Sequence, residues 1–219
     1  MPVIKSLKKL YGDRTVLDTE SFSINEGETV VLIGPNGSGK STLLKILASV
    51  IGPTEGEFNF GGKVLYMPQN SVAFNMSVMK NLIYSMEKAD AKRCEQVLEQ
   101  LKLSHLKHKN AKGLSGGERQ RLAFGRIMVN ECSLLLLDEP TSAVDVEGAA
   151  IIEKALCEYK ERTGCTVIMS THSPSQAKRV ADRIIMLNRG RIEEMGEAQK
   201  ILTNPASEWG RKFIDSWKI

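Results

Sequence analysis

The sequence predicts an α/β fold with a mostly parallel sheet, and three apolar segments lead to this prediction. Residues 29–33 (TVVLI) form a strand pattern that runs into a glycine-rich loop and then into a helical pattern. Residues 134–137 are four consecutive leucines, which is typical of a strand that helices cover on both faces. Residues 165–171 form a third apolar strand pattern, and a helical pattern precedes it. Strands that alternate with helices in this way form a parallel sheet.

The composition is that of an ordinary soluble globular protein. With 219 residues, of which 42% are hydrophobic and 26% charged, the chain is long enough for one sizeable core and a smaller attached subdomain. No apolar run approaches the roughly 20 residues that span a bilayer. The N-terminus lacks the apolar core of a signal peptide. We therefore expect a single domain over residues 1–219, located in the cytoplasm.

Charge, cysteines and histidines argue against three other kinds of site. The net charge of +4 is too modest to indicate a nucleic-acid partner. The four cysteines contain no C-x-x-C pair, so we expect reduced thiols rather than disulfides or a zinc centre. His105 and His108 fit one helix face, but no carboxylate or thiol lies near them at ligand spacing. We therefore expect no nucleic-acid partner, and no metal ion at the cysteines or at His105 and His108.

The N-terminal part of the chain is predicted to contain antiparallel strands. Residues 3–22 alternate weakly in polarity, with turn signals at residues 12–13 and 25–27. Tyr11 lies in this stretch, and two interpretations of it stay open: stacking on a purine, or packing within a strand. After a break at residues 52–56, we expect two short strands at residues 57–60 and 64–67, joined by Gly61 and Gly62.

Residues 34–42 (GPNGSGKST) match the pattern G-x-x-x-x-G-K-S/T between a predicted strand and a predicted helix. Their glycines permit backbone conformations in which successive N–H groups surround an anion. Lys40 is then placed to reach the β- and γ-phosphates of a nucleotide, and the Ser41 hydroxyl to ligate Mg²⁺. The alternative interpretation is a glycine-rich turn with a purely structural role.

A helical insertion is predicted in the middle of the chain, at about residues 72–130. Apolar residues recur at helical spacing between residues 77 and 106. Residues 114–118 (LSGGE) interrupt this pattern and precede another helix, for which Ser115 is the expected N-cap. The N–H groups of such a segment suit a second phosphate, but a structural capping turn explains the same residues, and both interpretations stay open.

Polar side chains follow two of the predicted parallel strands at their carboxyl ends, where open α/β folds bind ligands. Asp138 is expected beside Mg²⁺, and Glu139 is placed to orient or deprotonate an attacking water near the γ-phosphate. The alternative for both acids is the start of a helix. His172 ends the next strand, where a neutral imidazole donates to a phosphate oxygen. Further strands are expected at residues 182–187 and 191–195, followed by a helical tail over residues 197–219.

In this order the motifs resemble those of the ATP-binding cassette family, in particular the nucleotide-binding subunits of membrane transporters. The resemblance covers nearly the whole chain. It rests on residues 34–42, Gln69 as the glutamine loop, LSGGE at 114–118, LLLLDEP at 134–140, SAVD at 142–145 and His172. It implies a P-loop NTPase three-layer core with a mostly parallel sheet, a reduced antiparallel β-subdomain and a helical signature subdomain.

The resemblance also implies the residues of the site. The catalytic residues would be Lys40, Gln69, Glu139 and His172. Ser41, Gln69 and Asp138 would hold Mg²⁺. The residues implied in ATP binding are Tyr11, Gly34, Pro35, Asn36, Gly37, Ser38, Gly39, Lys40, Ser41, Thr42, Ser115, Gly116, Gly117, Glu118 and Asp145.

By the same resemblance, the chain would bind and hydrolyse ATP and so power a membrane transporter. Two subunits, expected to be identical, would face each other head to tail around two ATP molecules. Ser115 and Gly117 of one subunit would then reach the γ-phosphate held by Lys40 of the other. The helical subdomain would receive a coupling helix of a transmembrane permease, so the chain would lie on the inner face of the cell membrane.

Departures from the family pattern narrow the prediction. Only 29 positions separate Lys40 from Gln69, which implies a trimmed β-subdomain. Residues 171–183 are most similar to cassettes of small-oxyanion importers, such as tungstate or phosphate systems, so an importer is preferred. A lipoprotein-releasing or exporting subunit, a soluble cassette outside transport and a phosphotransferase remain alternative hypotheses. The transported substrate is chosen by other proteins, and this sequence does not indicate it.

Overall fold

The computed structural model describes residues 3–70 and 72–217, and within them the chain forms two compact units. The first unit contains residues 3–66, 133–138 and 164–217. The second contains residues 67–132, except residue 71, and residues 139–163. The predicted helical tail extends to residue 219, and its last two residues lie outside the described ranges.

Ten strands and eight α-helices make up the two units. The strands are β1 Val3–Tyr11, β2 Arg14–Asp18, β3 Phe22–Ser23, β4 Thr29–Ile33, β5 Glu55–Phe58, β6 Val64–Met67, β7 Leu134–Asp138, β8 Thr166–Ser170, β9 Arg183–Asn188 and β10 Arg191–Glu197. The helices are α1 Lys40–Leu47, α2 Val78–Tyr84, α3 Ala91–Gln100, α4 Gly116–Met128, α5 Val146–Thr163, α6 Pro174–Val180, α7 Ala198–Thr203 and α8 Glu208–Asp215.

A six-stranded sheet forms the centre of the first unit, in the order β10-β9-β4-β8-β7-β6. Strands β7, β8, β4 and β9 pair in parallel, and β10 adds an antiparallel strand at one edge. Every residue of β4, β7 and β8 is buried, as the unbroken apolar runs of the sequence predict. Because neighbouring parallel strands end at the same edge of a sheet, the residues that follow them are brought to one side of this unit.

The other sheet of the first unit is antiparallel, with the order β2-β1-β3 and with β5 also paired to β1. The two short strands predicted on either side of Gly61 and Gly62 are both present, but they lie in different sheets. Strand β5 begins two residues earlier than expected and joins this sheet, whereas β6 joins the parallel sheet. The physical reason is polarity, because the glutamates of β5 form ion pairs with lysines of β1 while β6 (VLYM) is apolar.

Helix α1 packs on the parallel sheet through the apolar face predicted from its sequence. Leu43, Leu44, Ile46 and Leu47 are all buried and belong to one hydrophobic cluster with β4, β7 and β9. This packing fixes the start of α1 relative to the strand that precedes it. The loop between them is therefore held from both sides, which suits it to a constrained backbone conformation.

The second unit is helical and includes α5 in addition to the segment predicted as an insertion. Helices α2, α3 and α5 all contact α4, and 3₁₀ turns lie at Ser104–Leu106 and Ala111–Gly113. Gly125 of α4 sits where an added Cβ would lie 2.9 Å from Leu101 Cδ1 and 3.2 Å from Leu82 Cδ2, so a larger residue would require these leucine side chains to shift. None of the helices in the described part of the chain is both long enough and apolar enough to cross a bilayer.

Candidate nucleotide-binding site

The loop between β4 and α1 has the backbone that the phosphate-loop pattern predicts. Gly34 has a φ of 147° and Gly39 a φ of 106°, values that side chains disfavour. A Cβ on Gly34 would lie 2.0 Å from the Leu187 carbonyl oxygen, and one on Gly39 would lie 3.1 Å from the Val16 carbonyl oxygen. Both glycines are therefore required by conformation and by space.

Lys40 begins α1 and is only 5% exposed. Its Nζ donates hydrogen bonds to the carbonyl oxygens of Gly34, at 2.7 Å, and Pro35, at 3.0 Å. These bonds hold the ammonium group inside the loop. Gly39, the N-cap, has no side chain to bond the first N–H groups of α1, and Ser38 Oγ is buried without a hydrogen-bond partner in the described residues. N–H donors at a helix start, a held ammonium group and a hydroxyl without a partner fit a phosphate group.

Ser41 and Asp138 are brought together although they are 97 positions apart in sequence. Ser41 Oγ donates to Asp138 Oδ1 over 3.0 Å. Asp138 is the last residue of β7 and is 2% exposed, so the packing of α1 on the sheet places the two side chains. A hydroxyl and a carboxylate are the oxygen ligands that Mg²⁺ prefers, and this donor set therefore fits the predicted ion.

Sequence reasoning missed two residues beside Asp138. Ser170 ends β8, and its Oγ donates to Asp138 Oδ1 over 2.7 Å. Tyr66 lies on β6, and burial together with the negative charge of Asp138 raises its pKa to about 12. The Tyr66 hydroxyl oxygen is buried and has no hydrogen bond of normal geometry within the described residues. No motif marks either residue, and only the strand order identifies them.

His172 and Tyr11 lie in the same unit as the phosphate loop. His172 follows β8 and is exposed. The turn after it is ordered by Thr171, whose Oγ1 donates to Gln176 Oε1 over 2.6 Å and accepts from the Ser173 N–H over 3.0 Å. Tyr11 ends β1 with 55% of its surface exposed, and the Lys9 ammonium lies 5.3 Å from its ring centroid. Packing in a strand therefore does not occupy the Tyr11 ring, which leaves it accessible for stacking.

In the second unit, Gln69 and Glu139 form a direct contact. Gln69 Nε2 donates to Glu139 Oε2 over 2.8 Å. The Glu139 backbone has a φ of 49°, in the left-handed region that glutamate rarely adopts. Ser142 holds this conformation, because its N–H and its hydroxyl both donate to the Glu139 carbonyl oxygen, at 3.2 and 3.1 Å. A strained backbone kept in place by its neighbours is common at functional sites.

The LSGGE segment begins α4 with a capping box. Glu118 N–H donates to Ser115 Oγ over 3.2 Å, and Ser115 N–H donates to Glu118 Oε2 over 2.8 Å. This second bond lowers the pKa of Glu118. The prediction of Ser115 as N-cap is confirmed. Gly116 and Gly117 have room for a Cβ within their own unit, because the nearest atoms would lie 3.8 Å and 3.5 Å away. Packing within the unit therefore does not account for these two glycines.

Asp145 has a local structural role in the second unit. Its Oδ1 accepts a hydrogen bond from the Gly148 N–H over 2.8 Å at the start of α5. The predicted site residues thus fall into two groups. Tyr11, residues 34–42, Asp138 and His172 belong to the first unit, and Gln69, residues 115–118, Glu139 and Asp145 belong to the second.

Several known proteins are similar to this chain. A family model described as "ABC transporter" matches residues 17–142. The sulfate/thiosulfate import ATP-binding protein CysA 2 of Rhizobium meliloti is 34% identical over 96% of this chain. This chain spans 64% of the length of that relative. The tungstate uptake system ATP-binding protein TupC of Peptoclostridium acidaminophilum is 35% identical, with 87% of this chain and 96% of TupC aligned.

A solved structure extends the similarity to three dimensions. The ATP-binding cassette MJ0796, in a dimeric post-hydrolysis state bound to ADP and Pi, superimposes with a TM-score of 0.81 at 29% identity. The superposition covers 90% of this chain and 99% of that one. The predicted α/β P-loop NTPase fold is therefore confirmed, as is the family that the motif order predicts. This chain belongs to the ABC transporter family and carries its ATP-binding cassette.

Proposed function

We propose that this chain is the ATP-binding and ATP-hydrolysing subunit of an ABC importer, in which two copies close around two ATP molecules. Residues 1–219 would act as one ATPase domain, with the helical segment inserted in the phosphate-loop core. The observation that carries the proposal is the phosphate loop, in which Lys40 is held beside Ser41 and Ser41 is bonded to a buried Asp138.

The first unit supplies the groups that bind the nucleotide. The backbone N–H groups of residues 34–42, except Pro35, and the Lys40 ammonium bind the phosphates, and the exposed Tyr11 ring stacks on the adenine. Ser41 and Asp138, together with Gln69 as the resemblance implies, would hold Mg²⁺, which when bound neutralises phosphate charge. His172 donates to the γ-phosphate, and the bonds of Thr171 keep the following turn in place.

The second unit supplies the groups that act on water. Glu139 orients the attacking water and accepts its proton, because a carboxylate within hydrogen-bond reach is a general base. The Gln69 amide holds one carboxylate oxygen of Glu139 over 2.8 Å. Proton acceptance needs that carboxylate to face the water, so Gln69 restrains the orientation of the proposed base.

Dimerisation explains the glycines of the LSGGE segment. Neither Gly116 nor Gly117 is required by packing within its own unit. A glycine that packing within the subunit does not require leaves space beside the backbone. Such space suits the close approach of a ligand from outside the subunit. We assign that ligand as the γ-phosphate held by a second copy of this chain, with Ser115, Glu118 and Asp145 beside it.

Transport would follow from attachment to a membrane protein. The relatives CysA 2 and TupC are named as import and uptake ATP-binding proteins for sulfate/thiosulfate and tungstate. We infer that this chain likewise acts with transmembrane permease subunits on the cytoplasmic face of the membrane. A small oxyanion is the preferred class of transported substrate.

The test measures the mass of the Glu139→Gln protein in solution with and without ATP and Mg²⁺. We expect a shift from monomer to dimer on addition of ATP, because phosphate contacts survive while water activation fails. ATP binding without any shift would contradict the head-to-tail dimer.

To test the transport role, the tagged chain is purified from detergent-solubilised membranes. A permease should co-purify, and ribosomes or DNA in its place would contradict that role.

A further inference from the structure

Asp138 is held by a hydroxyl group that none of the sequence motifs contains. Asp138 on β7 and Ser170 on β8 are direct partners in the parallel register. Ser170 is fully buried, and its Oγ donates to Asp138 Oδ1 over 2.7 Å. The contact joins the carboxyl ends of two neighbouring strands at the bottom of the phosphate-loop site. It is shorter than the bond of 3.0 Å from Ser41 to the same oxygen.

Two donors on one oxygen determine the orientation of the whole carboxylate. The hydroxyls of Ser41 and Ser170 both reach Asp138 Oδ1, and a carboxylate oxygen accepts about two such bonds. Both serine hydroxyls reach Oδ1 rather than Oδ2, and the Tyr66 hydroxyl interacts with the same carboxylate. The two serine hydroxyls therefore fix the carboxylate through Oδ1 and do not use Oδ2.

The two serines have different roles. Ser41 starts the phosphate-loop helix, and a serine that ligates a cation through oxygen still has its proton to donate to Asp138. Ser170 lies on the central strand β8, which pairs with β4 on one side and with β7 on the other. This pairing prevents Ser170 from moving with the phosphate loop. Ser170 is thus the fixed anchor of the carboxylate, and Ser41 the adjustable one.

We propose that Ser170 is a positioning residue, which orients Asp138 so that Oδ2 is presented to the metal ion of the bound nucleotide. The proposal rests on the proposed function, since it presumes that Ser41 and Asp138 hold that ion. Partners that orient a ligating carboxylate typically change metal affinity by about 10- to 100-fold when removed.

A purely structural hydrogen bond makes a different prediction. Loss of a structural bond lowers stability and affects nucleotide binding equally with and without metal. Loss of a positioning bond affects only the part of the binding that depends on metal. The two roles are therefore separated by measuring the metal affinity and the metal-free nucleotide affinity of the same variant.

The experiment compares the full-length wild-type chain with Ser170→Ala and Ser170→Thr. A fluorescent ATP analogue is bound first in the presence of a chelator. In separate samples that contain no chelator, Mn²⁺ is titrated in place of Mg²⁺ and followed by electron paramagnetic resonance. We expect Ser170→Ala to bind Mn²⁺ about 10-fold more weakly with unchanged metal-free affinity for the analogue. Ser170→Thr keeps the hydroxyl and should restore most of the Mn²⁺ affinity.

Thr166→Val is the matched control, because it removes a buried hydroxyl at the opposite end of the same strand. Its Mn²⁺ affinity should equal that of the wild-type chain. Wild-type Mn²⁺ affinity in Ser170→Ala, or an equal loss with and without metal, would overturn the inference and leave the proposed function intact. Failure of the wild-type chain to bind the analogue would instead overturn the proposed function. If Ser170→Ala does not fold, Ser170→Cys, with its weaker donor, is compared with Ser170→Thr by the same criteria.

Discussion

Gln69 Nε2 donates to Glu139 Oε2 over 2.8 Å across 70 positions of sequence, and this bond ties the proposed general base to the glutamine loop. The acceptor residue has a left-handed backbone, which Ser142 stabilises from the other side. Glu139 is therefore held both at its carboxylate and at its backbone. We expect the release or reorientation of this side chain to be the step through which a bound nucleotide would control hydrolysis.

Replacement of Gln69 by alanine should lower the ATP turnover number by about 10-fold or more and leave the ATP affinity measured without Mg²⁺ within about twofold, since a positioned acid–base group contributes roughly 10²- to 10⁴-fold. The measurement is steady-state hydrolysis together with equilibrium binding. Gln100→Ala is the control, because Gln100 makes a similar bond of 2.9 Å, to Glu158, in the same unit. Wild-type turnover in Gln69→Ala would remove Gln69 from the mechanism.

Replacement of Lys40 by alanine should weaken ATP binding by about 10- to 100-fold, the effect of losing a charged hydrogen-bond donor. The measurement is equilibrium binding of ATP with Mg²⁺. Lys45→Ala serves as control, since Lys45 lies on the same helix with its side chain exposed. Full ATP affinity in Lys40→Ala would contradict the assignment of residues 34–42 as the phosphate site.

Two glycines of α4 should respond to alanine in opposite ways. Gly117→Ala meets its nearest atom at 3.5 Å, so stability should stay within about 1 kcal/mol of the wild-type value while ATP-dependent dimerisation is lost. Gly125→Ala brings a methyl group to 2.9 Å from Leu101 and should destabilise the protein by about 1–3 kcal/mol. Denaturant unfolding and solution mass test both. A Gly117→Ala protein that still dimerises with ATP would argue against close approach of a ligand there.

Tyr66 should titrate well above an ordinary tyrosine, with a pKa of about 12, because burial and the charge of Asp138 disfavour its ionised form. The folded state then keeps its proton longer than the unfolded state, whose tyrosine titrates near 10. The stability that Tyr66 contributes is therefore complete below pH 10 and is lost as the pH rises toward 12.

The measurement compares denaturant unfolding of the wild-type and Tyr66→Phe proteins across that range of pH. The wild-type free energy of unfolding should fall relative to that of Tyr66→Phe as the pH rises. Ultraviolet absorbance should show one fewer late-titrating phenol in the variant. A constant difference in stability between the two proteins would show that the Tyr66 hydroxyl is not perturbed.

Local rules accounted for most of the elements and for the phosphate loop. The strands around Val31 and Leu136 were predictable because an unbroken apolar run must be buried on both faces of a sheet. The loop was predictable because Gly34 and Gly39 permit a backbone conformation that other residues disfavour. The N-cap at Ser115 was also predictable from local sequence, since a capping box needs only residues three positions apart.

Sequence by itself thus determined the fold class, the family and the identity of the motif residues. Only the tertiary structure decided which of them touch: Ser41 with Asp138, Gln69 with Glu139, and Ser170 with the same carboxylate as Ser41. It also separated β5 from β6, because ion pairs to β1 stabilise one strand and burial in the parallel sheet the other. Strand order and register bring together residues that lie far apart in sequence, and no local pattern records such a contact.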